Sequence, residues 1–169
     1  MAIPPGQLAP FLQFVANGDA EAYSYLEIMA RVVYQADDLV DEDLNPEGRQ
    51  ELMAALLWDV FVELPRNTFH RRNAATLAPL LSDVIVQWHK SDQWRRAGAP
   101  GYARAVFGFV RRENMDGLVG AVAGIVGGRE HAMAVAELVM DVCHADGETV
   151  EEWLGAENEL RKQTCGSGD

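Results

Sequence analysis

The sequence predicts an all-α fold, a single-domain bundle of six or seven helices. Apolar residues recur at spacings of three and four along most of the chain, as on the buried face of a helix. These segments begin at capping residues and end at glycine or proline. Sustained alternation of apolar and polar residues is absent, and no Asn-Gly or Asp-Gly turn is flanked by β-branched runs, so strands are not expected.

The helix boundaries follow from these caps and breakers. Asp19 caps the long second helix, and Asn45-Pro46 starts the third because proline is favoured at the first helical position. We expect Pro65 to stop the third helix and Pro79 to kink or divide the fourth, which begins at Asn67 or Arg71. The predicted helices span 6–16, 19–42, 45–64, 67–96, 102–126, 129–144 and 149–162.

Length and composition suit one domain, which we assign to residues 1–163, followed by a disordered tail over 164–169. The two cysteines, Cys143 and Cys165, form no disulfide framework and so favour a reducing compartment. No apolar run is long enough for a membrane span, and the N-terminus lacks a signal peptide. We therefore expect a cytoplasmic protein, and its small size and apolar helices are compatible with a homodimer.

The charge distribution changes sign twice along the chain. The net charge of −12 argues against binding to a nucleic-acid backbone. Residues 37–63 carry nine acids and one base, whereas residues 66–112 carry nine bases and two acids, and the remainder is acidic again. The basic middle could hold an anionic ligand together with its counter-cation, or it could pair with neighbouring acidic helices.

Three carboxylates cluster at the predicted end of the second helix. Asp37, Asp38 and Asp41 fall at i, i+1 and i+4, so they lie side by side on the helix surface. They repel one another unless they are solvated or neutralised by a cation. Hard oxygen ligands in such a cluster suit Mg²⁺ or Mn²⁺, which protein carboxylates and substrate phosphates hold together. The alternative is a solvated helix end that binds nothing.

This run, Asp37-Asp38-Leu39-Val40-Asp41, resembles the DDxxD motif of class I isoprenoid synthases. The resemblance implies an all-α, isoprenoid-synthase-like bundle in which the motif faces a central cavity and binds Mg²⁺, which in turn holds the substrate diphosphate. It further implies that Asp37 and Asp41 are direct ligands and Asp38 a supporting group. The chain is shorter than catalytic members of that family and has no second DDxxD, which indicates a shortened member.

A metal site of this kind requires ligands on an opposite wall. Glu137 and Asp141, followed by His144, form one polar line in an otherwise apolar helix and are the candidates for a second acidic motif. The alternative is that this line faces water. Arg111 and Arg112 are the candidate diphosphate ligands, because guanidinium matches phosphate geometry, or else they form surface ion pairs.

Further candidates lie at the start of the fourth helix and within the second. Asn67 and Asn73 could bind the anionic substrate, because a helix N-terminus attracts anions. His70, in the same cluster, is a candidate proton carrier near neutral pH. Tyr34, one turn before the aspartates, is a candidate for the cavity floor and is grouped with His70 as catalytic.

Three functions remain open. The first is an Mg²⁺-dependent enzyme that acts on a prenyl or other activated diphosphate, with transfer or loss of pyrophosphate. The second resembles the all-α nucleoside triphosphate pyrophosphatases, which place acidic pairs on neighbouring helices around Mg²⁺. Asp38 with Asp41, and Glu113 with Asp116, have that spacing without the usual glutamate-rich signature. The third is a non-catalytic helical accessory protein of a phage or bacterium.

Overall fold

The computed structural model describes residues 6–41, 44–97, 101–111, 115–143, 149, 150 and 152, without the side chains of Asp41, Met140, Asp141 and Cys143. Throughout this part the chain is helical and contains no strand, which confirms the all-α class. The elements are α1 (Leu8–Ala16), α2 (Ala20–Asp41), α3 (Pro46–Trp58), a π-helical segment (Asp59–Glu63), α4 (Leu64–Arg66), α5 (Thr68–Arg96), α6 (Tyr102–Arg111) and α7 (Asp116–Cys143).

The predicted helix starts are held by side-chain caps. Asp19 Oδ1 accepts two backbone N–H groups from the first turn of α2, at 2.9 and 3.0 Å. Asn45 and Asn67 each accept one N–H group at 2.8 Å, at the starts of α3 and α5. Thr149 and Glu152 bond reciprocally, as in a capping box, where the last helix was predicted to begin. The rest of that helix lies outside the described residues.

The prediction for Pro65 is wrong, and the prediction for Pro79 is wrong where it expected a division of the helix. Pro65 does not stop the third helix, which passes through the π-helical segment and ends at Arg66. The Leu64 N–H donates to the Asp59 carbonyl, five residues back, and this wider turn precedes the proline ring. Pro79 does not divide α5, which runs unbroken over 29 residues. Leu80 and Leu81 beside it pack against the core, and this contact keeps the helix continuous.

The predicted helix over 102–126 is also wrong as one element. It is divided into α6, which packs against α5, and α7, which packs against α1, α2 and α5. The break places Met115 in the core beside the start of α7. Inside α7, Gly128 has a φ of 74°, so the predicted interruption at this point is confirmed.

The core lies between α1, α2, α5 and α7. Its largest fully buried side chains come from these four helices: Val15, Tyr25, Leu26, Phe69, Leu77, Leu118, Val122 and Val135. By contrast, α3 contributes no fully buried side chain and packs on the outside of α2. None of the described helices combines the length and apolar character needed to cross a membrane.

Candidate functional site

The aspartate cluster lies on the last turn of α2, as the sequence predicted. Asp37 is half-buried and Asp38 is exposed, while the side chain of Asp41 lies outside the described part of the structure. The helix continues to Asp41, so the three residues keep the helical spacing that sets carboxylates side by side. This end of α2 therefore presents acidic groups to ligands that approach from solvent.

Tyr34 lies one turn before the aspartates and lines two hollows. One is an apolar pocket between α1, α2 and the start of α7, lined by Leu8, Phe11, Leu12, Leu26, Ala30, Val33, Tyr34, Met115 and Val119. The other is a more open cleft in which Tyr34 adjoins Arg31, Glu27 and Tyr23. Neither hollow is lined by an aspartate of the cluster, so the catalytic role expected for Tyr34 stays a prediction.

A groove between α2 and α3 brings two carboxylates to one surface. Asp38 lines it from α2, and Glu51 lines it from α3, with apolar Leu44, Leu52 and Ala55 between and beside them. The sequence analysis did not single out Glu51. Its only signal was the i, i+4 spacing of Glu47 and Glu51, which is common on solvated helix faces.

A buried ion pair fixes the π-helical segment against α2. Asp59 is 5% exposed and accepts Arg31 at 3.1 Å from Nε and 2.8 Å from Nη2, in a bidentate arrangement. Gln35 Nε2 adds a third bond to the carboxylate at 3.2 Å. These bonds, that of Arg31 foremost, hold the pKa of Asp59 below its usual range, so the carboxylate stays charged.

The predicted anion cluster at the start of α5 lies at the other end of α2. Asn67 Nδ2 donates to the carbonyl of Glu21 at 3.1 Å, and Asp37 lies sixteen residues further along that helix. At the rise of an α-helix this separation is about 24 Å. The structure therefore does not bring Asn67 together with the aspartates.

His70 and Asn73 share that remote position. The His70 ring stacks on Tyr25 with 5.8 Å between centroids, and burial lowers its pKa. Among the described residues, its buried Nδ1 has no hydrogen-bond partner. Asn73 Nδ2 bonds to the Phe69 carbonyl within α5. These contacts serve the packing of α5 on α2, and the catalytic and binding roles expected from the sequence have no support from this placement.

Among the other predicted ligands, the structure describes the side chains of Glu137 and Arg111. Glu137 is exposed, because Val135, Val139 and Val142 occupy the inward face of α7 and Glu137 lies on the opposite side. The inward orientation predicted for this line is thus wrong at Glu137. The Asp141 side chain and His144 lie outside the described residues. Arg111 ends α6, which packs against α5, and Arg112 is not described.

Within the described part of the chain, no group of three or more His, Cys, Asp or Glu side chains is placed to hold a metal ion. The predicted site also includes Asp41, whose side chain is not described. Comparisons of the chain with protein-family models, curated proteins and solved structures gave no match.

Proposed function

We propose that this chain binds Mg²⁺ or Mn²⁺ through Asp37, Asp38 and Asp41 and, through that ion, a diphosphate-bearing small molecule. In this proposal it is an enzyme that transfers or releases pyrophosphate, a shortened relative of the class I isoprenoid synthases. The observation that carries the proposal is the position of Tyr34. One helix turn joins the acidic end of α2 to a residue that lines an apolar pocket.

The residues present fit such an ion in their donor chemistry. The aspartate oxygens are hard ligands of the kind Mg²⁺ prefers, and Glu51 offers another across the groove from Asp38. The bound ion would polarise the diphosphate and stabilise pyrophosphate as a leaving group.

In this proposal the hydrocarbon part of the substrate binds at the apolar pocket. Its lining consists of aliphatic and aromatic side chains, with the Tyr34 ring at the side nearest the aspartates. The pocket has a volume of about 20 Å³, which is room for about one water molecule. A prenyl group could therefore enter only if the lining side chains moved apart, and its charged end would then stay at the mouth.

The groove favours a second candidate, a nucleoside triphosphate pyrophosphatase. Asp38 and Glu51 stand on neighbouring helices and line one surface, as the acidic pairs of those enzymes do. In that case the residues around the metal would position a water for attack on the triphosphate. The products separate the two candidates: a nucleoside monophosphate with pyrophosphate indicates hydrolysis, and pyrophosphate released from a prenyl diphosphate indicates the first function.

The proposal is tested by calorimetric titration of Mg²⁺ and Mn²⁺ into the wild type and an Asp37→Asn/Asp41→Asn variant. Asparagine keeps the shape and removes the charge, so metal affinity should fall by at least about tenfold. Glu130→Gln, an exposed change on α7, is the matched control and should bind the metal like the wild type.

A second measurement on the same proteins guards against a folding defect. Without metal, the double variant should be at least as stable as the wild type, because it removes repulsion between neighbouring carboxylates. Addition of Mg²⁺ should raise the melting temperature of the wild type and leave the variant unchanged. Equal metal binding by the two proteins would refute the site.

A further inference from the structure

The open cleft between α1 and α2, which adjoins the apolar pocket, is large enough to hold a small organic molecule. Its volume is about 350 Å³, within the range of small-molecule sites in proteins. One wall is apolar and comes from α1, through Leu8, Ala9 and Leu12. Unlike the pocket, the cleft therefore combines room for a ligand with a surface on which a hydrocarbon group can pack. We call it the α1–α2 cleft.

The other wall of the α1–α2 cleft carries a carboxylate and two tyrosine rings. Tyr23, Glu27 and Tyr34 line it and fall on one face of α2, at i, i+4 and i+11. Hydrogen bonding of the Tyr23 hydroxyl to Glu27 is the largest cause that raises the pKa of Tyr23, so this hydroxyl remains a donor to the carboxylate. Within the described part of the chain, Glu27 forms no ion pair.

Arg31 also lines the α1–α2 cleft, but a residue outside the cleft compensates its charge. The guanidinium donates from Nε and Nη2 to the Asp59 carboxylate, at 3.1 and 2.8 Å. Hydrogen bonding to Asp59 is the largest cause that holds the pKa of Arg31 above its usual range, whereas the charge of Glu27 is a smaller one. Because Arg31 and Asp59 neutralise each other, the charge that the cleft presents to a ligand is negative and comes from Glu27.

We propose that the α1–α2 cleft binds a small organic cation, a primary ammonium that carries a hydrocarbon group. The ammonium donates a charge-assisted hydrogen bond to Glu27 and lies near the rings of Tyr23 and Tyr34, whose π faces attract cations. The hydrocarbon group packs on the apolar wall from α1. This site does not depend on the proposed function, because none of the α2 aspartates lines the cleft.

The test is a calorimetric titration of the full chain with phenethylamine in a buffer free of metal ions and of other amines. Phenethyl alcohol is the matched neutral ligand, because it keeps the hydrocarbon group and replaces the ammonium by a hydroxyl. The wild type should bind the amine at least about tenfold more tightly than the alcohol, since the alcohol lacks the charge that pairs with Glu27.

Three variants of the chain identify the site. Glu27→Gln keeps the shape of the side chain and removes its charge, so amine affinity should fall by at least about tenfold. Glu21→Gln makes the same change of net charge at an exposed position of α2 outside the cleft and should bind like the wild type. Ala9→Phe adds a ring to the apolar wall and should weaken binding; because Ala9 is exposed, the fold should be kept, with a melting temperature near that of the wild type.

The metal-site variant Asp37→Asn/Asp41→Asn separates this proposal from the proposed function. It should bind phenethylamine like the wild type, and a loss of amine binding there would place the cation at the end of α2 and overturn the proposal. Equal affinity of the wild type for the amine and the alcohol overturns it as well. So does undiminished amine binding by Glu27→Gln, or a wild type that binds no amine at millimolar concentration.

Discussion

At the residue scale, Asp59 anchors the π-helical segment that follows α3 to α2. A buried carboxylate is costly unless it is paired and hydrogen-bonded, and this one accepts three side-chain bonds from α2. The side chains of α3 itself are not fully buried. The pair with Arg31 is therefore the buried polar contact that holds the segment after α3 against α2.

Asp59→Asn should lower the free energy of unfolding by about 1–3 kcal/mol at neutral pH, because it weakens a buried, charge-assisted pair. Folding lowers the Asp59 pKa from 3.8, so its contribution is present above that value and is lost as the pH falls through the lowered one. The difference in free energy of unfolding between the wild type and Asp59→Asn should accordingly shrink in acid. Urea titrations at neutral pH and at a pH below the lowered pKa measure this difference.

Glu63→Gln is the matched control for that change. Glu63 pairs with Arg66 at 3.9 Å on an exposed surface, so its loss should alter stability by no more than about 0.5 kcal/mol. Equal effects of the two substitutions would show that Asp59 has no special role in holding α3.

The importance of Asp59 could not be read from the sequence. Its partner Arg31 is 28 residues away, and a lone aspartate in a helical segment is usually solvated. By contrast, the caps Asp19, Asn45 and Asn67 were predictable, because each bonds to backbone within three residues of itself.

At the scale of the elements, the two helical parts of α7, before and after the interruption, meet at Gly127 and Gly128. A Cβ on Gly127 would lie 2.6 Å from the His131 Cβ. His131 cannot easily move away, because its Nε2 lies 3.1 Å from the carbonyl of Val15 on α1. The glycine thus allows α7 to bend where it packs on α1.

Gly127→Ala should destabilise the protein by about 1–3 kcal/mol through this clash. Gly120→Ala, in the interior of the same helix, meets no atom within 4 Å and should stabilise it by about 0.4–1 kcal/mol. Denaturant midpoints of the two variants against the wild type give both values. Shifts of the same sign would contradict this account of the bend.

Helix continuity was the weakest part of the sequence prediction. Pro79 stays inside α5 because neighbouring leucines pack on the core, and such tertiary contacts leave no local signal. The break between α6 and α7 was missed for the same reason, since the burial of Met115 beside it is a tertiary contact. The break at Gly128 was found because glycine tolerates positive φ.

At the scale of the whole molecule, α2 separates two groups of predicted site residues. The aspartates and Tyr34 are at its C-terminal end, whereas Asn67 and His70 contact its N-terminal half. Chain order suggested that a basic middle segment could hold an anionic ligand together with its counter-cation, but helix packing decides which residues meet. Tyr34 and the aspartates lie on the same helix, so the sequence could predict that they are one turn apart.

The central claim is that the end of α2 binds a divalent ion that holds a diphosphate. Crystals of the full chain grown with Mn²⁺ and pyrophosphate test it most directly, through the anomalous signal of manganese. We expect a peak at metal-ligand distance, about 2.1 Å, from carboxylate oxygens of Asp37 and Asp41, with pyrophosphate bound to the same ion. An ordered α2 end without an anomalous peak under saturating Mn²⁺, or a peak confined to other residues, would contradict the claim.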